Sequence, residues 1–269
     1  MNITGSSQLS APIAHGRTSE IYRWNDGHIL KLYYDWCPPN WIEHEAHVAQ
    51  VIFDAGIPAP AVGEIVEING RRGIVYERVE GVSMLQDMNA RPWMIFKQAK
   101  ALADLQVQFH QLSIPGLYSY HVALEHTIRR APHLTEAMRV KVLELLKTLP
   151  DGNIICHGDF HPGNVILSAQ GPIVIDWMTA ASGSPWADVA RTCMILHVGP
   201  KAAGRQLSQI ARLFINLYYE RYLKHYKALH SDTQNELRRW LPVIAAARLD
   251  ERIEPEREGL LQMIEDGLQ

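Results

Sequence analysis

The sequence predicts an α+β protein, with a small strand-rich segment over residues 1–80 and a larger, mostly helical segment over 81–269. Three observations carry that prediction. Two pairs of alternating apolar runs joined by Asn/Asp-Gly turns lie before residue 80. Apolar residues at helical spacing dominate after Gly81. Between the later helical patterns, two short apolar runs enclose HGDFHPGN, residues 157–164, and a third ends at Asp176.

Taken in order, SEIYRW, the turn Asn25-Asp26-Gly27 and HILKLYY read as a first hairpin, because Asn, Asp and Gly tolerate positive φ. WIEHEAHVAQVIFDAG reads as a helix whose apolar positions include Trp41, Ile42, Val48 and Ile52, with Gly56 placed to end it. Pro58-Ala59-Pro60 forces extended chain into a second hairpin, VGEIVEI and RRGIVYERV around Asn69-Gly70. ERVEG then leads into the helical segment. Residues 92–112 form a helix with Pro92 in its first turn, and 134–149 form a second amphipathic helix. From Pro185 onward the chain reads as three or four helices without strands.

A chain of 269 residues can bury a substantial core. Its 47% hydrophobic and 20% charged residues are ordinary for a soluble enzyme, and a net charge of -3 argues against a general nucleic-acid partner. Cys37, Cys156 and Cys193 are too few and too scattered for a disulfide framework, which suits a reducing cytoplasm. The N-terminal stretch has no secretory pattern and no window is long enough to span a bilayer. The expected location is cytoplasmic, with no membrane and no obligatory protein partner. In that setting the acceptor triplet Asn2-Ile3-Thr4 is a chance match.

The polar residues between the short strands carry the chemistry. Burying an acid without a partner is costly, so Asp159 and Asp176 each require one. Phosphoryl transfer from a nucleotide needs a carboxylate to orient the attacking hydroxyl, ligands for Mg²⁺ and a cation on the phosphates. The protein-kinase catalytic loop sets an Asp five residues before an Asn, with a metal-binding Asp downstream. Asp159, Asn164 and Asp176 have that arrangement, and one amide oxygen with one carboxylate suits Mg²⁺.

HGDFHPGNVIL followed by IVIDW resembles the aminoglycoside phosphotransferase and choline kinase superfamily, the small-molecule branch of the two-lobed protein-kinase-like fold. GRTSEIYRWNDGHILKLYY resembles that family's first hairpin with its nucleotide-covering loop, EHEAHVAQVIFDAGIPAPAV the helix carrying the lysine's partner, and GSPWADVAR a later segment with a structural aspartate. The resemblance implies an N-terminal nucleotide-binding lobe and a C-terminal lobe with the catalytic loop and acceptor site. It makes Asp159 the catalytic carboxylate, Asn164 and Asp176 the metal ligands, and Lys31 the phosphate-binding cation paired to Glu45. Glu43 shares that helix, but the family's Glu-Ala pair favours Glu45. Glu77 to Val79 would offer backbone groups to the nucleobase, and His157 and Asp188 would brace the structure.

Some parts of the pattern are thinner. The stretch from Ala14 to Ile21 holds a single glycine, so the backbone of Arg17, Thr18 and Ser19 is left to cap phosphates. His157 and His161 are too few for zinc, leaving His161 to line the acceptor pocket. Met178 stands where many relatives carry an acid after D-[WF]. Seven acids against two arginines lie in residues 250–269. Glu251 and Glu254 among them either meet ammonium groups of an acceptor, as in aminoglycoside-modifying relatives, or belong to a solvated helix.

The expected activity is ATP- or GTP-dependent O-phosphotransfer to a hydroxyl of an aminoglycoside-like or other small metabolite. An amino-alcohol kinase for choline, ethanolamine or homoserine, and a non-catalytic nucleotide-binding regulatory module, are the alternatives. A protein kinase is disfavoured, because twelve positions from Asp176 to Asp188 leave little room for an activation loop and no A-P-E follows.

Overall fold

The computed structural model describes residues 9–202, 208–230 and 235–269; the Asn2-Ile3-Thr4 triplet lies outside them. In chain order the first elements are β1 (Ala14–His15), β2 (Ser19–Arg23), β3 (His28–Tyr33), α1 (Pro39–Asp54), β4 (Val62–Ile68) and β5 (Arg71–Glu77). Next come β6 (Val82–Ser83), α2 (Met84–Ala90), α3 (Ile95–Phe109), α4 (Tyr120–Arg130), α5 (Glu136–Thr148), β7 (Ile154–Cys156), β8 (Val165–Ser168), β9 (Gly171–Val174) and β10 (Ala181–Gly183). Helices α6 (Pro185–Ala202), α7 (Gln209–Leu229), α8 (Glu236–Arg248) and α9 (Arg257–Gly267) complete the chain. The class is α+β, an antiparallel-sheet N-terminal region and a helical C-terminal region. Two compact units divide it: Met1–Met84 with Gly163–Met178, and Leu85–Pro162 with Thr179–Gln269.

In the first unit a five-stranded sheet runs in the order β1-β2-β3-β5-β4, antiparallel throughout. Both hairpins close at the turns read from sequence. Asn69 and Gly70 have φ of 52° and 80°, the two positive values a two-residue type I′ turn requires. Successive side chains on a strand alternate faces, so β3 sends Leu30 and Leu32 one way and Lys31 and Tyr33 the other. Leu30 and Leu32 join Tyr22, Val66 and Val75 in one apolar cluster. Tyr33 packs with Ile42 of α1 and Ile74 of β5 in another. Lys31 therefore shares the face covered by α1. That helix begins at Pro39, two residues before the expected Trp41, and Gly56 follows its end at φ 74°.

The hairpin β8–β9 belongs to this unit, although the sequence places residues 163–178 with the helical segment. It pairs through β8 with β6, and Val174 N–H donates to Pro58 O at 2.7 Å.

In the second unit α7 packs on α3, and α6 and α9 pack on α8. The long helix expected over 92–112 is a 3-10 turn at Pro92–Met94 followed by α3. Helix α5 starts at Glu136, two residues after the expected 134, its first turn capped by Thr135, whose hydroxyl accepts Met138 N–H at 3.2 Å. Helix α4 is capped in the same way by Ser119, and the short pair β7–β10 supports the motif segment.

Gly73 fixes how closely the lysine strand can be approached. A Cβ there would lie 2.7 Å from Leu30 Cδ1 and 2.9 Å from Lys31 O. Gly73→Ala is expected to destabilise the chain by about 1–3 kcal/mol through overpacking. Urea unfolding checks this, and an unchanged midpoint would show that β3 and β5 can move apart without penalty.

Candidate active site

Two polar clusters contain the residues singled out in the sequence, one in each unit. In the first, Lys31 Nζ donates to Glu45 Oε1 at 2.6 Å and to Asp176 Oδ1 at 3.1 Å. Lys31 and Glu45 side chains are only 13% and 3% exposed, so each charge relies on protein partners rather than water. Burial by itself would make the ammonium less basic, but the two carboxylates outweigh it and hold Lys31 above its usual range. It is charged at any physiological pH. Tyr76 OH adds a hydrogen bond to Glu45 Oε1 at 3.2 Å. Burial, reinforced by the Glu45 charge, raises the Tyr33 and Tyr76 phenols, so both remain neutral. The outer Glu43 instead pairs with Arg72 at 2.9 Å.

Helix α1 makes a second connection, because His44 hydrogen-bonds the backbone of Met178; burial lowers its pKa. This is the residue where many relatives carry an acid. Asp176 has φ 64°, a left-handed conformation uncommon for a residue with a side chain. The buried Trp177, whose Nε1 donates to Val174 O at 3.0 Å, ties the next residue back to β9. Val165 pairs with Val174, which brings Asn164 and Asp176 to the same end of the β8–β9 hairpin, where Ile175 N–H donates to Asn164 O at 2.9 Å. Asn164 is buried and the Asp176 side chain is 45% exposed.

The segment expected from sequence to cap phosphates is short. Gly16 N–H donates to Ser19 O at 2.8 Å and Tyr34 N–H to Thr18 O at 3.0 Å, while Arg17 is exposed. At the expected nucleobase segment, Glu77 N–H donates to Ala61 O and Arg78 N–H to Gly27 O, both at 2.8 Å. The donors of these two residues are thus engaged inside the unit.

In the second unit the motif loop is held by α6. Gly158 has φ 77°, and a Cβ there would fall 2.7 Å from Thr179 O, so only glycine fits. Its N–H donates to Asp188 Oδ1 at 2.7 Å and its carbonyl accepts from Arg191 Nε at 2.9 Å. Asp188 and Arg191 are three residues apart on one helix face and grip the two peptide groups that flank Gly158. His157 is buried; its carbonyl accepts from Thr179 Oγ1 at 2.9 Å and its Nδ1 accepts Asp159 N–H at 3.2 Å.

Asp188 has no exposed surface, and its Oδ2 accepts from Gln106 Nε2 at 2.9 Å and meets His110 Nε2 at 3.0 Å. Burial pushes its carboxyl up, but the His110 hydrogen bond and Gly158 N–H outweigh that and hold it low. Asp159 is half-buried, with Oδ2 3.7 Å from His161 Nε2 and Oδ1 3.8 Å from Arg191. Burial raises its pKa, yet hydrogen bonding from His161 and the Arg191 charge together keep it below the usual carboxylate range. Such a carboxylate is ionised at neutral pH and orients a hydroxyl better than it strips a proton from one.

Four of the seven acids in the C-terminal stretch, Asp250, Glu251, Glu254 and Glu256, are paired to arginines. Glu251 accepts from Arg191 and, at 2.7 Å, from Arg248; Arg248 also grips the buried Glu256 at 2.7 and 3.0 Å. Glu254 pairs with Arg257 at 2.8 Å. Sequence reasoning missed Arg191, Arg248 and His110. An arginine closing the apolar run VIAAAR was the available signal, since a cation there requires an acid.

A lysine shared by a helix glutamate and a strand-end aspartate in the first unit, and a glycine-clamped aspartate loop in the second, accompany a fold of the kinase-like class. The chain belongs to the phosphotransferase enzyme family, whose model matches residues 11–224. It is a phosphotransferase. Its fold is similar to an aminoglycoside-3'-phosphotransferase of type VIII (22% identity, TM-score 0.62, covering 89% of this chain and 90% of that one). It is also similar to an aminoglycoside phosphotransferase in ternary complex with ADP and hygromycin B (15%, 0.63, 97% and 91%). A choline/ethanolamine kinase family protein from Mesorhizobium loti shares the fold as well (13%, 0.58, 97% and 87%). No curated protein matches the sequence significantly.

Asp159 of the loop and Asp188 of α6 both have folded-state values below the ordinary 3.8, so their ionised forms favour the folded chain. That contribution is complete above the unfolded value and fades as pH falls through the lower folded values. Asp188→Asn, which turns an acceptor into a donor against Gly158 N–H or its partners, is expected to lose about 3–5 kcal/mol. Denaturant unfolding between about pH 6 and pH 3 should show a shallower acid decline in this variant than in the parent. Equal stability and equal slope would remove Asp188 from this role.

Proposed function

We propose that the chain moves the γ-phosphoryl group of ATP or GTP, with Mg²⁺, to a hydroxyl of a small molecule. The observation supporting this most directly is the Lys31 ammonium held between Glu45 and Asp176. A structural ion pair needs one acid; a second, half-exposed carboxylate on a strained backbone is the arrangement expected where a cation and phosphates are to be handled. Asp176 and Asn164 offer a carboxylate and an amide oxygen, a donor set that fits a hard divalent cation with its other positions left to water and phosphate oxygens. When bound, Mg²⁺ supplies neutralisation of charge on the transferred phosphoryl group. Lys31, permanently charged, would hold the non-transferred phosphates. Asp159 would accept the hydrogen bond of the acceptor hydroxyl and fix its attacking lone pair.

The acceptor is the open part of this reading. Aminoglycosides carry several ammonium groups, whereas Asp250, Glu251, Glu254 and Glu256 are each paired to an arginine. This favours a hydroxylated metabolite with few positive charges. Amino alcohols are the second class, supported by the shared fold of the choline/ethanolamine kinase family protein.

Asp159→Asn is expected to lower transfer by about 10²–10⁴-fold while nucleotide binding persists. A nucleotide-consumption assay over aminoglycosides, choline, ethanolamine and homoserine, run beside nucleotide titration calorimetry, measures both. Retained transfer with lost binding would overturn the role of Asp159. Nucleotide-induced thermal stabilisation without transfer to any acceptor would instead make the chain a nucleotide-binding module.

A further inference from the structure

The loop carboxylate lies near a cation that has a stronger claim elsewhere. Arg191 is about 8% exposed and stays charged because acids outweigh its burial. Its Nε is committed to Gly158 O at 2.9 Å. One terminal nitrogen, NH2, hydrogen-bonds Glu251 Oε1 and stands 3.8 Å from Asp159 Oδ1, ion-pair range but beyond a hydrogen bond. Glu251 is itself fixed from behind. Arg248 Nη1 donates to Glu251 Oε2 at 2.7 Å, and the same guanidinium makes two bonds to Glu256, which is 1% exposed.

The order Glu256–Arg248–Glu251–Arg191–Asp159 is therefore an alternating chain of charges. It runs from the buried Glu256, in the turn before α9, to the motif loop. The turn after α8 brings Glu251 into place, with Arg252 at φ 55° reversing the chain immediately after it.

We propose that Glu251 is a positioning residue for Asp159: by holding the far side of Arg191 it keeps that cation beside the carboxylate without letting it bind there. Two carboxylates compete for one guanidinium. Charge-assisted bonds strengthen as the geometry closes, so removing the charge at Glu251 lets Arg191 pair fully with Asp159. The carboxylate oxygens that a hydroxyl must reach would then be occupied. Glu251 is accordingly no reader of acceptor ammonium groups, and the C-terminal turn acts on the reaction through the loop. The consequence for turnover rests on the transferase reading; the coupling of Glu251 to Asp159 does not.

The test is Glu251→Gln in the full chain, with Glu251→Asp as the variant that keeps the charge. Resonances of the Gly158 and Asp159 amides and the Asp159 carboxyl, assigned by comparison with Asp159→Asn, should shift in Glu251→Gln. They should move back toward the parent in Glu251→Asp. With an acceptor from the panel, or with water as acceptor in slow MgATP hydrolysis, Glu251→Gln should lower kcat by about tenfold to a hundredfold. The acceptor KM should stay unchanged. Unmoved resonances overturn the proposal, as does a rise in KM confined to cationic acceptors with kcat intact. Shifted resonances in a parent that turns over nothing would sink the transferase reading and leave the positioning role standing.

Discussion

One buried ammonium organises the first unit. An ion the size of Lys31 Nζ cannot lose its water without finding protein partners, and it has two, Glu45 at 2.6 Å and Asp176 at 3.1 Å. To satisfy it, β3 must turn that residue toward α1, α1 must present Glu45 rather than Glu43, and residues 163–178 must fold with a sheet formed more than a hundred positions earlier. The left-handed backbone of Asp176 and the Trp177 and His44 contacts around it all serve the same placement. Breaking one partner away would leave an uncompensated charge in an apolar setting.

The second unit solves a different problem, the rigidity of a short loop that contains a glycine. The N–H of Gly158 is held by Asp188 and its carbonyl by Arg191, so the peptide groups on both sides of that residue are fixed. Asp188 in turn draws on Gln106 and His110, and those on Tyr222 and Tyr226 of α7. Buried polar networks stabilise only when their members are satisfied, and this one connects three helices to one glycine. The loop geometry is thus a property of the helical core rather than of the loop's own residues.

Much of the fold was legible from local pattern. The Asn-Gly turn, the alternation in β2 to β5 and the period of α1 and α5 each follow from short-range preference. The expected long helix over 92–112 was shortened because Pro92-Trp93-Met94 closes a tighter turn first. Helix α4 went unread although Tyr120, Leu124 and Ile128 recur every four residues behind the cap Ser119; its many polar residues hid the stripe. At the site, the spacing of Asp159, Asn164 and Asp176 was visible. The acid run at the C-terminus was visible too, but its meaning was not, since a count of charges cannot say which ones face one another.

By itself the sequence determined the two hairpins, α1 and most of the later helices, and it marked the acids, the asparagine and the lysine that the proposed chemistry uses. Short-range sterics and hydrophobic period suffice for that, because they act within a few residues. Only the tertiary structure decided that Lys31 is shared by two acids, that Arg191 grips the loop, and that Glu251 and Glu256 answer buried arginines. Those pairings join positions as far as 145 residues apart, and their strength comes from desolvation, which exists only once the chain has closed around them.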